Sequence, residues 1–150
     1  MERAIPVSEI LSAKGSDVLS GPEDLTLVEA ARLMVEAGVG SLVVMDGADR
    51  VIGILTERDV LRFTARNPDR LAGTRVGDIM TRELLVGLPT DTVESMMAVM
   101  TERRIRHLPI LVNGRLAGIV SIGDLVKATV HQANFEVRLL RDYITGSYPG

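Results

Sequence analysis

Two short stretches of the chain set a hydroxyl three residues ahead of an aspartate: Thr56-Glu57-Arg58-Asp59 and Ser121-Ile122-Gly123-Asp124. Each follows a glycine and two apolar residues, Gly53-Ile54-Leu55 and Gly118-Ile119-Val120, so one seven-residue phrase is written twice. A strand that turns into a helix at such a hydroxyl presents backbone amides suited to an anion. An aspartate just inside that helix can accept hydrogen bonds from both hydroxyls of a ribose, as the acidic residue of a dinucleotide fold does. The hydroxyl and the amides would then meet a phosphate. The same residues also have a purely structural use. Ser or Thr at an N-cap, with an acid at N3, satisfies orphan amides and opposes the helix dipole. The doubling favours a ligand, because two copies of one phrase propose two related sites.

The elements that position these residues repeat as well. Thr26 to Met45 lines up with Thr92 to Leu111 at an offset of 66, and Val51 to Leu61 with Leu116 to Val126 at 65. A repeat of this length decides the fold. Each copy is predicted to open with a short strand, Asp17-Val18-Leu19 or Leu84-Leu85-Val86, stopped by Pro22 or Pro89. A helix follows from Thr26 to Ala37, with Leu27, Ala30, Ala31 and Met34 inward. Its counterpart runs from Thr92 to Arg103, with Val93, Met96, Met97 and Met100 inward. These spacings of three and four mark amphipathic helices, and the methionines read as core filler. Thr26 and Glu29 form a capping box, while Asp91 and Thr92 compete for that role in the second copy. Two apolar strands then pair across Asp46-Gly47 (41–45 with 51–55) and across Asn113-Gly114 (108–112 with 116–120). Second helices start at Thr56 and Ser121. The expected fold is therefore α/β, two β-α-β-β-α repeats that must pack together to cover their sheets, plus a C-terminal helix. Repeat one spans 7–66, a linker 67–75, repeat two 76–130, and the helix and tail 131–150, with Asn67-Pro68-Asp69 to Gly73 as the linking stretch. In the last helix Val130, Ala133, Val137, Leu140 and Ile144 form a 3-4 stripe widened by Phe135 and Leu139. It either folds back on its own domain or forms a dimer seam.

Composition narrows the function. Apolar residues make up 46% of the chain, yet there are only two Phe, two Tyr and no Trp, and the formal charge is −3. Stacking platforms and a basic footprint are both missing, which argues against a nucleic-acid reader. Without cysteine there are no disulfides or thiolate sites. No apolar run reaches the ~18–20 residues that span a bilayer, and residues 1–6 lack a signal-peptide core. The expectation is a soluble, cytoplasmic protein with no membrane partner.

The doubled phrase, together with Ile105-Arg106-His107-Leu108-Pro109-Ile110, resembles tandem CBS domains (the cystathionine-β-synthase type), covering about Val7 to Val130. The whole chain resembles the small stand-alone bacterial signal-transduction members. The resemblance implies two repeats packed sheet to sheet with pseudo-two-fold symmetry in a regulatory, non-catalytic module that dimerises into a disc and binds adenosine derivatives between repeats: AMP, ADP, ATP, S-adenosylmethionine or NAD. It implies riboses on Asp59 and Asp124 and phosphates near Thr56 and Ser121. Adenine would sit against Val39-Gly40 and Ile105-Arg106, with Leu19 and Leu85 as apolar walls. Arg106 and His107 would serve the Asp59 cleft, with Arg58 and Arg104 as further phosphate partners. The positions equivalent to 106 and 107 on the Asp124 side, Gly40 and Ser41, carry no charge, so the Asp59 cleft is expected to bind charged nucleotides more tightly. Signalling would act in trans on an effector protein. The alternative is a structural module that the nucleotide merely stabilises, and magnesium stays open.

Other motifs point away from catalysis. Gly38-x-Gly40 runs from helix to strand, the reverse of a Rossmann loop. His107 and His131 lie 24 residues apart, too far for helical metal spacing, and no nucleophile elbow or Walker loop is present. His131 reads as a surface residue and His107 as either ligand-facing or structural. Arg103 and Arg104 also suit a helix C-terminus, where cations offset the dipole.

Overall fold

The computed structural model describes residues 3–15 and 17–145, with side chains through Arg141. Local signals set most elements. Thr26 caps a helix over Leu27–Ala37 (α2): its hydroxyl accepts from the Glu29 amide at 3.1 Å, and the Glu29 carboxylate accepts from the Thr26 amide. Thr92 does the same for the helix Val93–Arg103 (α5), with Ser95 as the reciprocal partner. Asp91 is left to accept from the Leu88 amide in the preceding turn. The inward residues are as the spacing predicts, with Ala31 and Met97 at the margins of the buried stripes.

Gly38 ends α2 in the left-handed region, and the matching position after α5 is Arg104, at φ 56°. A side chain there is strained by about 1 kcal/mol. Arg104→Gly is expected to raise stability by about that amount, read as a higher urea midpoint with an unchanged slope.

The hairpin strands are Ser41–Met45 (β2) with Val51–Thr56 (β3), and His107–Val112 (β4) with Arg115–Ser121 (β5). Asn113 and Gly114 both take positive φ and close a two-residue turn, as predicted. The first hairpin departs from its prediction. Asp46-Gly47 does not turn the chain alone, because the Asp46 carboxylate accepts from the amides of Ala48 and Arg50 and opens a longer loop with Asp49 at φ 59°. The opening strands also shift. Pairing falls on Ser20–Gly21 (β1), parallel to β2, rather than on Asp17–Leu19, although the Leu19 carbonyl still accepts from Val43. In repeat two it falls on Gly87, a bridge to Ile110, rather than on Leu84–Val86. A Cβ on Gly87 would come within 2.8 Å of Ile110 Cδ1 and 3.1 Å of Met96 Sδ, so the chain approaches where a side chain is absent.

Helices Val7–Lys14 (α1) and Val76–Ile79 (α4) open the two repeats ahead of their first strands and were not foreseen. They exchange cores. Val7 and Ile10 pack among Val93, Met96, Met100, Leu108, Ile110, Val120 and Leu125, whereas Val76 and Met80 pack among Leu27, Ala30, Met34, Leu42, Val44 and Leu55. This crossing explains the glycine of the doubled phrase. A Cβ on Gly53 would lie 2.6 Å from Met80 Sδ, and one on Gly118 the same distance from Leu11 Cδ2. The stretch expected as a plain linker folds as a 3-10 helix, Pro68–Gly73, and Leu71 packs on the first core.

The second helices are Glu57–Arg66 (α3) and Ile122–Thr145 (α6), the latter one continuous helix. The 3-4 stripe of α6 does not fold back on its own core: Val130 is 52% exposed and Leu140 63%, with Val137 and Phe135 between those values. Its inward positions are instead Gln132, Glu136 and Leu139, and Gln132 Nε2 donates to the Arg3 carbonyl. The Ile144 side chain and the tail through Pro149 lie outside the described residues.

Candidate functional site

Both phrases fold alike. At the start of α3, Asp59 Oδ2 accepts from the Thr56 amide at 3.0 Å, and the Asp59 amide donates to Thr56 Oγ1 at 3.2 Å. At the start of α6 the corresponding Ser121–Asp124 distances are 2.8 and 3.1 Å. The first helical amides, of Glu57 and Ile122, donate to the carbonyls of Gly40 and Arg106. These bonds tie the backbone before each inner strand to the helix start. Capping is therefore real in both copies, yet it occupies only one carboxylate oxygen. Asp59 Oδ1 and Asp124 Oδ1 have no hydrogen-bond partner among the described residues, nor do the second helical amides, of Arg58 and Gly123. Each helix start thus carries one carboxylate oxygen and one backbone amide that no other described residue engages.

Gly40, Glu57 and His107 meet between the repeats: a methyl on Gly40 would stand 3.2 Å from the Glu57 carboxyl and 3.3 Å from His107 Nε2. Val39, Arg58, Arg104 and Arg106 are exposed, and their side chains make no hydrogen bond or ion pair among the described residues. Leu19, Leu85 and Ile105 are half-buried against the cores, Leu19 on the first and the others on the second.

The Asp124 side holds a cation that the sequence reading missed. Lys14 Nζ lies 2.6 Å from Asp124 Oδ2 and 2.9 Å from the Ile119 carbonyl. Gly40 and Ser41 carry no charge, as the sequence says, and the cation comes instead from α1. A signal for it exists. Val7-Ser8-Glu9-Ile10-Leu11 matches Val76-Gly77-Asp78-Ile79-Met80 at an offset of 69, so the repeat begins earlier than its opening strand. A groove of about 820 Å³ opens beside this pair between α1 and α6, lined in part by Ile10, Lys127, His131, Phe135 and Leu139.

Burial would push the Asp124 carboxyl up, but hydrogen bonds from Lys14 and Ser121 outweigh it and hold it below the usual carboxylate range. Burial pushes the His107 imidazole down from its ordinary 6.5, aided by Lys14 and Arg106 and opposed by Glu57 and Asp124. A histidine with a depressed folded value takes its proton later than the unfolded chain does. Stability is therefore expected to fall as pH drops below about 6.5. His107→Gln should flatten that part of a melting-temperature profile, and an unaltered slope would refute the assignment.

Among the described residues no group of three or more His, Cys, Asp or Glu is placed to hold a metal ion, and no helix is long and apolar enough to cross a membrane. The family model for the CBS domain matches residues 7–66 and 76–131. A mitochondrial CBS domain-containing protein of Arabidopsis thaliana is 37% identical over 150 residues, covering 95% of this chain and 73% of that protein. The crystal structure of a CBS-domain containing protein from Agrobacterium tumefaciens superposes with a TM-score of 0.81 at 37% identity, over 86% of this chain and 96% of that one. The CBS domain pair of protein MJ0100, solved in complex with 5′-methylthioadenosine and S-adenosyl-L-methionine, shares the fold with a TM-score of 0.77. It is 21% identical, over 86% of this chain and 98% of that one.

Proposed function

The chain belongs to the CBS-domain family, and from that premise we propose that it is a regulatory module that binds adenine nucleotides at the starts of α3 and α6. One observation carries the reading: two aspartates at helix starts each spend one oxygen on the cap and keep the other unengaged among the described residues, as is the second amide of each helix. A ribose diol needs such an acceptor, and a phosphate needs such a donor. The complex of the MJ0100 pair with two adenosine derivatives, at the level of a shared fold, supports the ligand class. In this reading the ligand is AMP, ADP, ATP or NAD, the protein is a cytoplasmic homodimer without catalysis of its own, and the output acts in trans on an effector. Regulation requires the ligand to prefer one shape of the pair, since equal affinity for two shapes shifts nothing.

The exposed apolar face of α6, with Val126, Val130, Val137 and Leu140, favours a second reading in which the module chiefly joins proteins together. A thermal-shift screen of AMP, ADP, ATP, NAD and S-adenosylmethionine on nucleotide-free protein separates the two. Ligand at a hundredfold its Kd should stabilise by ~2.7 kcal/mol, a shift of several degrees. Absence of any shift would leave two capped helices and the joining role.

A further inference from the structure

The two aspartates differ in what already holds them. Lys14, the last residue of α1, donates to Asp124 Oδ2 and to the Ile119 carbonyl, and its side chain is only 33% exposed against 24% for Asp124. The other repeat is built without this cation. There the Ile54 carbonyl accepts from the Thr81 amide at 2.9 Å, and Asp59 has no ion-pair partner among the described residues. The offset of 69 that aligns α1 with α4 carries Lys14 onto Glu83, an exposed acid. The cation that Lys14 brings to Asp124 thus has no counterpart at Asp59.

A ribose that engages Asp124 must share its carboxylate with Lys14 or displace the ammonium. A partly exposed ammonium that loses its carboxylate partner gives up that attraction unless another anion replaces it. A phosphate at the start of α6 is such an anion, and it meets a lysine as a charge-assisted partner. A neutral nucleoside brings no replacement. We propose that Lys14 makes the Asp124 site selective for phosphate-bearing adenosine ligands over neutral ones. The inference rests on the adenosine-binding reading above. The same groove is lined by Arg3, Lys127 and His131 together with Glu9 and Glu136.

The test is calorimetry with AMP and with adenosine on nucleotide-free full-length protein. It uses the natural chain, Asp59→Ala to isolate the second site, and Asp59→Ala combined with Lys14→Met or Lys14→Arg. With Asp59→Ala, AMP should bind at least about tenfold more tightly than adenosine. Lys14→Met should reduce that preference by roughly ten- to a hundredfold, the worth of one charge-assisted bond, and Lys14→Arg should keep most of it. An AMP preference unchanged in Lys14→Met overturns the inference while nucleotide binding stands. Binding by the natural chain but none by Asp59→Ala overturns it too, because Asp124 would then hold no ligand. Silence of the natural chain toward both compounds overturns the nucleotide reading itself.

Discussion

Val7→Asp is expected to unfold the repeat that Val7 does not begin. Val7 is fully buried, and its neighbours are Met96, Met100, Leu108, Ile110, Val120 and Leu125, all from the far end of the chain. A carboxylate placed there has no cation or donor to meet it, and an unpaired buried charge costs several kcal/mol even after it takes up a proton. Against a total stability of about 5–15 kcal/mol, that is enough to abolish folding of this core. Ser8→Asp supplies the control. It adds the same charge one residue later at an exposed position in the first turn of α1, where an acid suits the dipole, and it should change stability by under about 1 kcal/mol. Urea unfolding followed by circular dichroism gives the totals. Hydrogen exchange locates the damage: amides of β4 and β5 should lose protection before those of β2 and β3. Equal midpoints for the two variants would show that α1 does not belong to the second core.

Asp59→Asn and Asp124→Asn should each lower nucleotide affinity at their own site by roughly ten- to a hundredfold, the difference between a charged and a neutral acceptor for a ribose diol. Asparagine is the informative replacement, because its carbonyl oxygen can still accept from the Thr56 or Ser121 amide and preserve the cap. Alanine would remove cap and acceptor together and confound the two roles. The stability consequences differ by site. Asp59 has no ion-pair partner among the described residues, so its asparagine variant should fold with little change. Asp124 also loses Lys14, a partly exposed pair worth up to about 1 kcal/mol. Calorimetric stoichiometry beside melting temperature separates binding from folding. Full affinity in both variants would return the aspartates to a capping role alone.

Much of this protein is written locally. Thr26 with Glu29, the apolar stripes of α2 and α5, and the Asn113-Gly114 turn each act within a few residues, so the chain announces them without any fold. The doubled phrase is local in the same sense, and with it both aspartates and the repeat architecture. Tertiary structure decided what depends on distant partners. The strand pairing at Gly87 follows from the room it leaves Ile110 and Met96, not from the apolar run before it. The outward turn of the α6 stripe follows from α1, Arg3 and Gln132 taking its other side. The cation at Asp124 comes from 110 residues away in sequence. The offset of 69 reveals the helix that carries Lys14 but not its contact, because only the exchange of α1 into the second core brings Lys14 to Asp124.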